Sequence, residues 1–272
     1  MGGGDGLADA ILDLQALTER LRRECPWDRA QTARTIVPHT VEEAYEVADA
    51  AHDGDDAKLA DELGDLLFQS VFLSLLLEER GAGSLAAVAR AVHDKLVRRH
   101  PHVFGGDALE TAGDVRERWE AIKTRDEGRT GIFHDVPEAL PGLLYAKKVQ
   151  RRAASVGFDY PDAAWALRDL DEELGELRAE VDGAPRPETE PAARHVEEVG
   201  DVLFAAVNVA RRLNVDPELA VRAASRRFVA RVERAASLAA ASGEDFAALD
   251  LEAQDRYYDQ AKAATHTEDS PA

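Results

Sequence analysis

The chain has 272 residues, 45% of them hydrophobic, with 53 acidic against 33 basic side chains and a formal charge of −20. That length allows one large domain or two ordinary ones, and the apolar fraction excludes disorder as the default. So acidic a surface repels nucleic acid and anionic membranes but does not exclude a small anionic ligand, which needs only local cations or bound metal.

Ala and Leu dominate and aromatics are few, a composition that favours helices. In chain order the apolar periodicity predicts helices near 7–23, 40–51, 57–79, 84–99, 114–125, 142–154, 162–180, 192–213, 216–241 and 252–264. Thr40, three residues before Glu43, has the spacing of a capping box, and Asp216-Pro217 puts a proline at a first helical position. Gly54, Gly81 and Gly183 fall in breaks. No segment alternates with period two, so the expected class is all-α. Residues 128–141 hold two Gly and two Pro and divide the chain into modules at 1–127 and 142–272. The Pro-rich stretch 182–191 reads as a solvated loop and the last eight residues as a frayed tail.

The apolar run from Leu66 to Leu77 is too short to span a membrane and follows Asp61, Glu62 and Asp65. The first residues carry neither region of a signal peptide, and the one cysteine, Cys25, cannot form an intrachain disulfide. A cytoplasmic location is expected.

An internal repeat carries most of the information. Glu42-Glu43-Ala44-Tyr45-Glu46 and then Glu62-Leu63-Gly64-Asp65-Leu66-Leu67-Phe68 recur as Glu172-Glu173-Leu174-Gly175-Glu176 and then Glu198-Val199-Gly200-Asp201-Val202-Leu203-Phe204. The spacer is 15 residues in the first copy and 21 in the second, the excess being the Pro-rich loop. Trp27-Asp28 and Phe158-Asp159 precede the two copies. A basic helix follows each: Lys95, Arg98 and Arg99, then Arg226, Arg227 and Arg231. Each copy ends on an aromatic four residues before a lysine, Trp119/Lys123 and Tyr258/Lys262. Duplication of one helical module explains the series.

Residues three apart share a helix face, so Glu43/Glu46, Glu62/Asp65, Glu173/Glu176 and Glu198/Asp201 are four acidic pairs. Antiparallel neighbours can turn two such pairs toward each other. Surrounded by Leu63, Leu66, Leu67 and Phe68, or by Val199, Val202, Leu203 and Phe204, they would repel strongly without a cation. Oxygen donors select a hard ion, Mg²⁺ or Mn²⁺, which can bridge phosphate oxygens and activate water for in-line displacement. A lone E-x-x-E is usually a solvated face; two pairs repeated with the same flanks are not explained that way. Trp27 and Phe158 are expected to pack in the core. No His-based zinc or di-iron pattern, P-loop or dinucleotide fingerprint is present.

At these residues the sequence resembles the MazG family of nucleoside triphosphate pyrophosphohydrolases, within the all-α NTP pyrophosphohydrolase superfamily, over roughly residues 7 to 264. The resemblance rests on Cys25-Pro26-Trp27-Asp28, the first acidic pair, Arg99-His100-Pro101-His102-Val103-Phe104, Gly157-Phe158-Asp159-Tyr160, the second acidic pair and Asn208-Val209-Ala210-Arg211. It implies two tandem helical modules, a homodimer, Mg²⁺, and hydrolysis of NTPs or dNTPs to monophosphate and pyrophosphate in nucleotide-pool cleansing or control. It also implies that the second module carries the main activity. Its metal and catalytic residues would then be Glu173, Glu176, Glu198 and Asp201, with Arg194, Arg227, Arg231 and Lys262 on the phosphates and Tyr258 near the nucleotide. Departures from the family pattern are Asp169 in place of Lys (with Arg168 beside it), Ser225 in place of Asn, Tyr258 in place of Trp, and Arg194 and Arg227 in place of Lys. The first module keeps Glu43, Glu46, Glu62 and Asp65 as metal ligands, with Lys95, Arg99, Trp119 and Lys123. The rival readings are a nucleotide-binding regulatory protein without turnover and a structural helical oligomer with solvated acidic faces.

Overall fold

The structure, a computed structural model, describes residues 6–105, 131–134, 136–182 and 191–268, with side chains to residue 264. The expected helix at 114–125, with Trp119 and Lys123, and most of the Pro-rich loop lie outside these residues. Among the described residues all regular structure is helical, and the chain divides into two compact units, 1–127 and 128–272. No helix among them is long and apolar enough to cross a membrane.

The first unit contains α1 (Leu7–Glu24), α2 (Pro26–Ala30), α3 (Ala33–Asp53), α4 (Asp56–Glu79), α5 (Leu85–Arg99) and α6 (Pro101–Phe104). Its centre is the α3–α4 hairpin. Two residues make the turn: Gly54 takes a left-handed conformation, φ 70°, and the Asp55 side chain caps α4 by accepting from the backbone of Ala57 and Lys58. Ile36, Phe72 and Leu76 form the buried cluster between the hairpin's arms. Arg22 at the end of α1 fastens the far end of α4. It donates to both Glu79 carboxylate oxygens, at 2.7 and 2.9 Å, and to the backbone carbonyls of Asp28, Arg29 and Gln31.

Helix α3 begins seven residues earlier than the sequence predicts. The cap is Thr32, whose hydroxyl accepts from Thr35 N while Thr35 accepts from Thr32 N; Thr40 instead donates to Ile36 O inside the helix. Pro38 is therefore an interior proline and removes one backbone hydrogen bond. Burial of Ile36 against Phe72 and Leu76 offsets that loss.

The second unit contains α7 (Gly142–Ala154), α8 (Ala163–Val181), α9 (Ala193–Arg212), α10 (Pro217–Ala241), a 3₁₀ turn (Phe246–Ala248) and α11 (Leu251–Glu268). Helices α8 and α9 form the second hairpin, α10 and α11 pair with each other, and α7 packs against both α9 and α10. Lys147 of α7 meets the α10 N-cap Asp216 at 2.7 Å, and Gln150 of α7 donates to Phe204 O of α9 at 2.8 Å. α7 thus fixes both pairs.

Candidate metal and nucleotide site

In each unit the hairpin brings three carboxylates together. Oxygens of Glu43, Glu62 and Asp65 lie within 4.8 Å of one another, and so do those of Glu173, Glu198 and Asp201. In both triads the residue order runs antiparallel across the hairpin. Repulsion couples Glu43 to Asp65 and Glu173 to Asp201, and Glu46 lies close enough to Glu62 to raise it. Glu46 and Glu176 stand beside their triads, one turn further along.

Burial and crowding leave their mark on the carboxyl groups. Burial first, then the neighbouring Asp65 and Glu46, pushes Glu43 above its ordinary value. Burial and the neighbouring Glu46 do the same to Glu62, and burial with Asp201 and Glu176 does so to Glu173. The middle carboxylates are the most enclosed: Glu62 is 8% exposed and Glu198 1%.

A cation already answers part of the charge in the second unit. Arg194 Nη2 lies 2.7 Å from Glu198 Oε1 and 3.9 Å from Glu176 Oε2, and the same guanidinium reaches Glu180 and Glu197. Glu198 Oε2, however, is buried with no hydrogen-bond partner. A buried carboxylate oxygen with an open lone pair, beside two further carboxylates, fits a hard divalent cation.

The remaining residues expected to hold phosphate occupy the α10–α11 pair, not the hairpin. Arg227 is exposed, Arg231 half-buried and Lys262 exposed. The Tyr258 ring packs 5.9 Å from that of Phe228. Arg168 is stacked 3.8 Å over the Trp165 ring.

Two expectations fail. Trp27 and Phe158 are not core residues: they are 52% and 82% exposed, and Trp27 meets the His39 ring edge-on. Of the apolar residues next to the carboxylates, Leu66, Phe68 and Val202 are half-buried and the others do not enclose them. Leu63, Leu67, Val199 and Leu203 are exposed, because one and five residues beyond Glu62 or Glu198 point about 100–140° away around the helix.

Sequence reasoning named Phe158-Asp159-Tyr160 and Asn208-Arg211 but gave them no geometry. Arg211 clamps Asp159, which also receives Arg212 at 3.2 Å, and is itself oriented by donating to Asn208 Oδ1. Burial pushes Tyr160 up to about 12, and the neighbouring Asp169 carboxylate adds to the shift. Asp169, the departure from the family's lysine, thus stands beside Tyr160, while Arg211 and Arg212 of α9 hold Asp159. Gln150 was not singled out, and no sequence signal marks a glutamine in an amphipathic helix.

A model of the MazG nucleotide pyrophosphohydrolase domain matches residues 31–104, the stretch that holds the first triad. Over 255 residues the chain is 39% identical to the nucleoside triphosphate pyrophosphohydrolase of Escherichia coli (strain K12), covering 92% of this chain and 95% of that protein. It is 38% identical over 259 residues to the nucleoside triphosphate pyrophosphohydrolase/pyrophosphatase MazG of Thermotoga maritima, covering 94% and 96%. A nucleoside triphosphate pyrophosphohydrolase of Mycobacterium tuberculosis is 31% identical over 222 residues, 79% of this chain and 65% of that protein. With its paired acidic hairpins and this similarity along almost its whole length, the chain belongs to the MazG family of nucleotide pyrophosphohydrolases.

Proposed function

We propose that the protein hydrolyses nucleoside triphosphates, NTPs and dNTPs alike, to the monophosphate and pyrophosphate, with Mg²⁺ as cofactor and Mn²⁺ able to replace it. The observation that carries this reading is the carboxylate triad, present in both units, with Glu198 Oε2 buried and unpartnered in the second. Glu173, Glu198 and Asp201 hold the cation, with Glu176 at the edge of the set; Glu43, Glu62, Asp65 and Glu46 are the equivalent set in the first unit. When bound, Mg²⁺ supplies neutralisation of the phosphate oxygens and activation of water for in-line attack at the α-phosphorus.

The chain's own residues do the rest. Arg194 serves as the internal counter-charge for Glu198 until the cation takes that role, and its guanidinium is then available to the phosphates. Arg227, Arg231 and Lys262 add positive charge from the α10–α11 pair, where it opposes the charge growing on the departing pyrophosphate. Tyr258 borders the nucleotide. The exposed stripes Leu63/Leu67 and Val199/Leu203, at matching repeat positions, support a homodimer that covers them. The strongly negative surface suits free nucleotides better than nucleic acid, and control or cleansing of the nucleotide pool is the corresponding role.

Incubation with a panel of NTPs and dNTPs, in Mg²⁺ and in EDTA, tests the reading. Mg²⁺-dependent appearance of monophosphate and pyrophosphate is expected. Release of diphosphate and orthophosphate, or tight binding with no product, rejects it; the latter makes the chain a nucleotide-binding regulator.

Arg194→Ala separates the two tasks given to that residue. In EDTA the variant melts at lower temperature than wild type, because Glu198 loses its counter-charge, and Mg²⁺ restores the difference. KM for nucleotide rises roughly tenfold even in saturating Mg²⁺, the effect of one lost charge-assisted contact. An unchanged melt in EDTA would show that Arg194 does not balance Glu198.

A further inference from the structure

The two units carry the same three carboxylates at matching repeat positions, but the side-chain cation beside them differs. In the second unit it is Arg194, four residues before Glu198 and so one turn away on the same face of α9. Its guanidinium reaches three carboxylates at once: Glu198 Oε1 at 2.7 Å, Glu197 at 3.1 Å and Glu180, across the hairpin, at 3.4 Å. A planar fork suits that task; a lysine ammonium is a single, strongly hydrated charge on a flexible stem. In the first unit the position four residues before Glu62 is Lys58. Lys58 is exposed and pairs with no carboxylate among the described residues; burial and Glu46 raise Glu62 and outweigh the pull of Lys58. The counterpart of Glu180, seven residues after Glu173, is Ala50, seven after Glu43, which has no charge with which to hold a cation.

Glu198 is the enclosed member of its triad, its side chain 2% exposed. A divalent ion entering the second triad must displace the guanidinium from that carboxylate, or bind with a positive charge already in contact with one of its ligands. Either course weakens its binding. The pairs of Arg194 with Glu180 and Glu197 are largely exposed and add little by themselves. Their effect is to keep the guanidinium where Glu198 meets it. Among the described residues Glu62 has no cationic contact to give up when an ion enters the first triad.

We propose that Arg194 guards the second triad, so that a divalent cation fills the first unit at about tenfold lower concentration than the second, the effect of one charge-assisted contact on an enclosed carboxylate. This order rests on the proposed cation role of the triads. It adds that the two sites are unequal, and that the inequality lies in Arg194 and Glu180 rather than in the ligands themselves. By linkage, a ligand whose phosphates draw the guanidinium away from Glu198 tightens the second triad's hold on the cation by the factor that Arg194 had cost it. The first unit then keeps its cation when divalent ions are scarce, and the second takes one up together with its anionic ligand.

The test is titration of the full chain with Mn²⁺ alone, without nucleotide, with free Mn²⁺ read by its electron paramagnetic resonance signal. Wild type is expected to show two classes of site about tenfold apart in Kd. Glu43→Gln weakens or removes the tighter class and Glu173→Gln the weaker one, which assigns each class to its unit. Arg194→Ala, at a half-exposed position, tightens the weaker class about tenfold, so that the two merge, and Arg194→Gln, which keeps most of the side chain's stem, does the same. Lys58→Ala leaves the tighter class unchanged. Two classes of equal affinity in wild type, a weaker class that belongs to Glu43, or a weaker class that Arg194→Ala and Arg194→Gln leave unchanged, overturns the guard while the cation reading stands. No Mn²⁺ bound at either unit overturns both. Turnover does not enter the measurement, so a chain with the expected classes that forms no pyrophosphate from NTPs would keep the guarded site and lose the enzymatic reading.

Discussion

Glu173→Gln is expected to cut pyrophosphate release by about 10³-fold, or ~4 kcal/mol in transition-state stabilisation, while making the metal-free protein more stable. The two effects come from one cause. Glu173 is pushed above its ordinary value by burial and by Asp201 and Glu176, so its charge is a cost to the fold when no cation is present. Glutamine keeps the shape and one acceptor oxygen and removes that charge. The melting temperature in EDTA therefore rises, and the further stabilisation that wild type gains from Mg²⁺ is largely lost. Glu43→Gln, the matching change in the first unit, gives the same gain in metal-free stability with turnover retained if the second unit carries the chemistry. A loss of turnover confined to Glu43→Gln would assign the chemistry to the first unit.

The same balance sets how wild type responds to pH. In the folded, metal-free protein Glu43, Glu62 and Glu173 bind protons more tightly than the 4.5 of an unperturbed glutamate. Folded protein then holds more protons than unfolded chain above that value, so stability from these groups is greatest in acid and falls as pH rises through their folded values. Glu79, held low by its hydrogen bonds from Arg22, runs the other way. So do Asp159 and Asp216, whose burial is outweighed by Arg211 and Lys147. Their stabilisation is present above the unfolded values and is lost as pH falls through the folded ones. Melts in EDTA therefore peak near the ordinary carboxylate range, and Mg²⁺ raises the neutral side of the curve.

The helical class and the acidic faces were legible because both depend on local spacing: Glu62/Asp65 and Glu198/Asp201 share faces whatever surrounds them. The short helices α2 and α6 were not, although Pro26 and Pro101 each sit at a first helical position, because one turn is too short to show periodicity. The start of α3 was misplaced because Pro38 and Thr40 imitate a helix entry, while burial of Ile36, a tertiary fact, decides for Thr32. At the site, i and i+3 spacing named four carboxylates per unit; three lie within 4.8 Å of one another, and the fourth stands beside them. Which of them do so depends on how two helices rotate against each other. The pairing of Arg211 with Asp159 spans 52 residues and that of Gln150 with Phe204 spans 54; neither leaves a local trace. The exposure of Trp27 and Phe158 went against their hydrophobicity, as is common where an aromatic residue faces a ligand or partner.

Phe72→Ala is expected to destabilise the first unit by about 4 kcal/mol, the cost of emptying a fully enclosed aromatic site. Phe72 has 0% exposure, lies between Ile36 and Leu76, meets the Phe68 ring at 5.9 Å and has the Arg22 guanidinium 5.9 Å from its ring centre. It is the largest member of the cluster that packs α3 on α4, the hairpin that brings Glu43 to Glu62 and Asp65. Denaturant titration followed by circular dichroism reads the loss, with Phe228→Ala, at an exposed position, as a control that changes stability by about 1 kcal/mol or less. Assayed below the new midpoint, Phe72→Ala keeps turnover within about twofold of wild type if the second triad does the chemistry, as expected for independent sites. Its Mg²⁺-induced stabilisation is reduced, because the first triad has lost its geometry. Full turnover together with a weakened metal response would give the first unit a cation site without the catalytic step. Abolished turnover, with the second unit still folded, would mean that the reaction needs both triads.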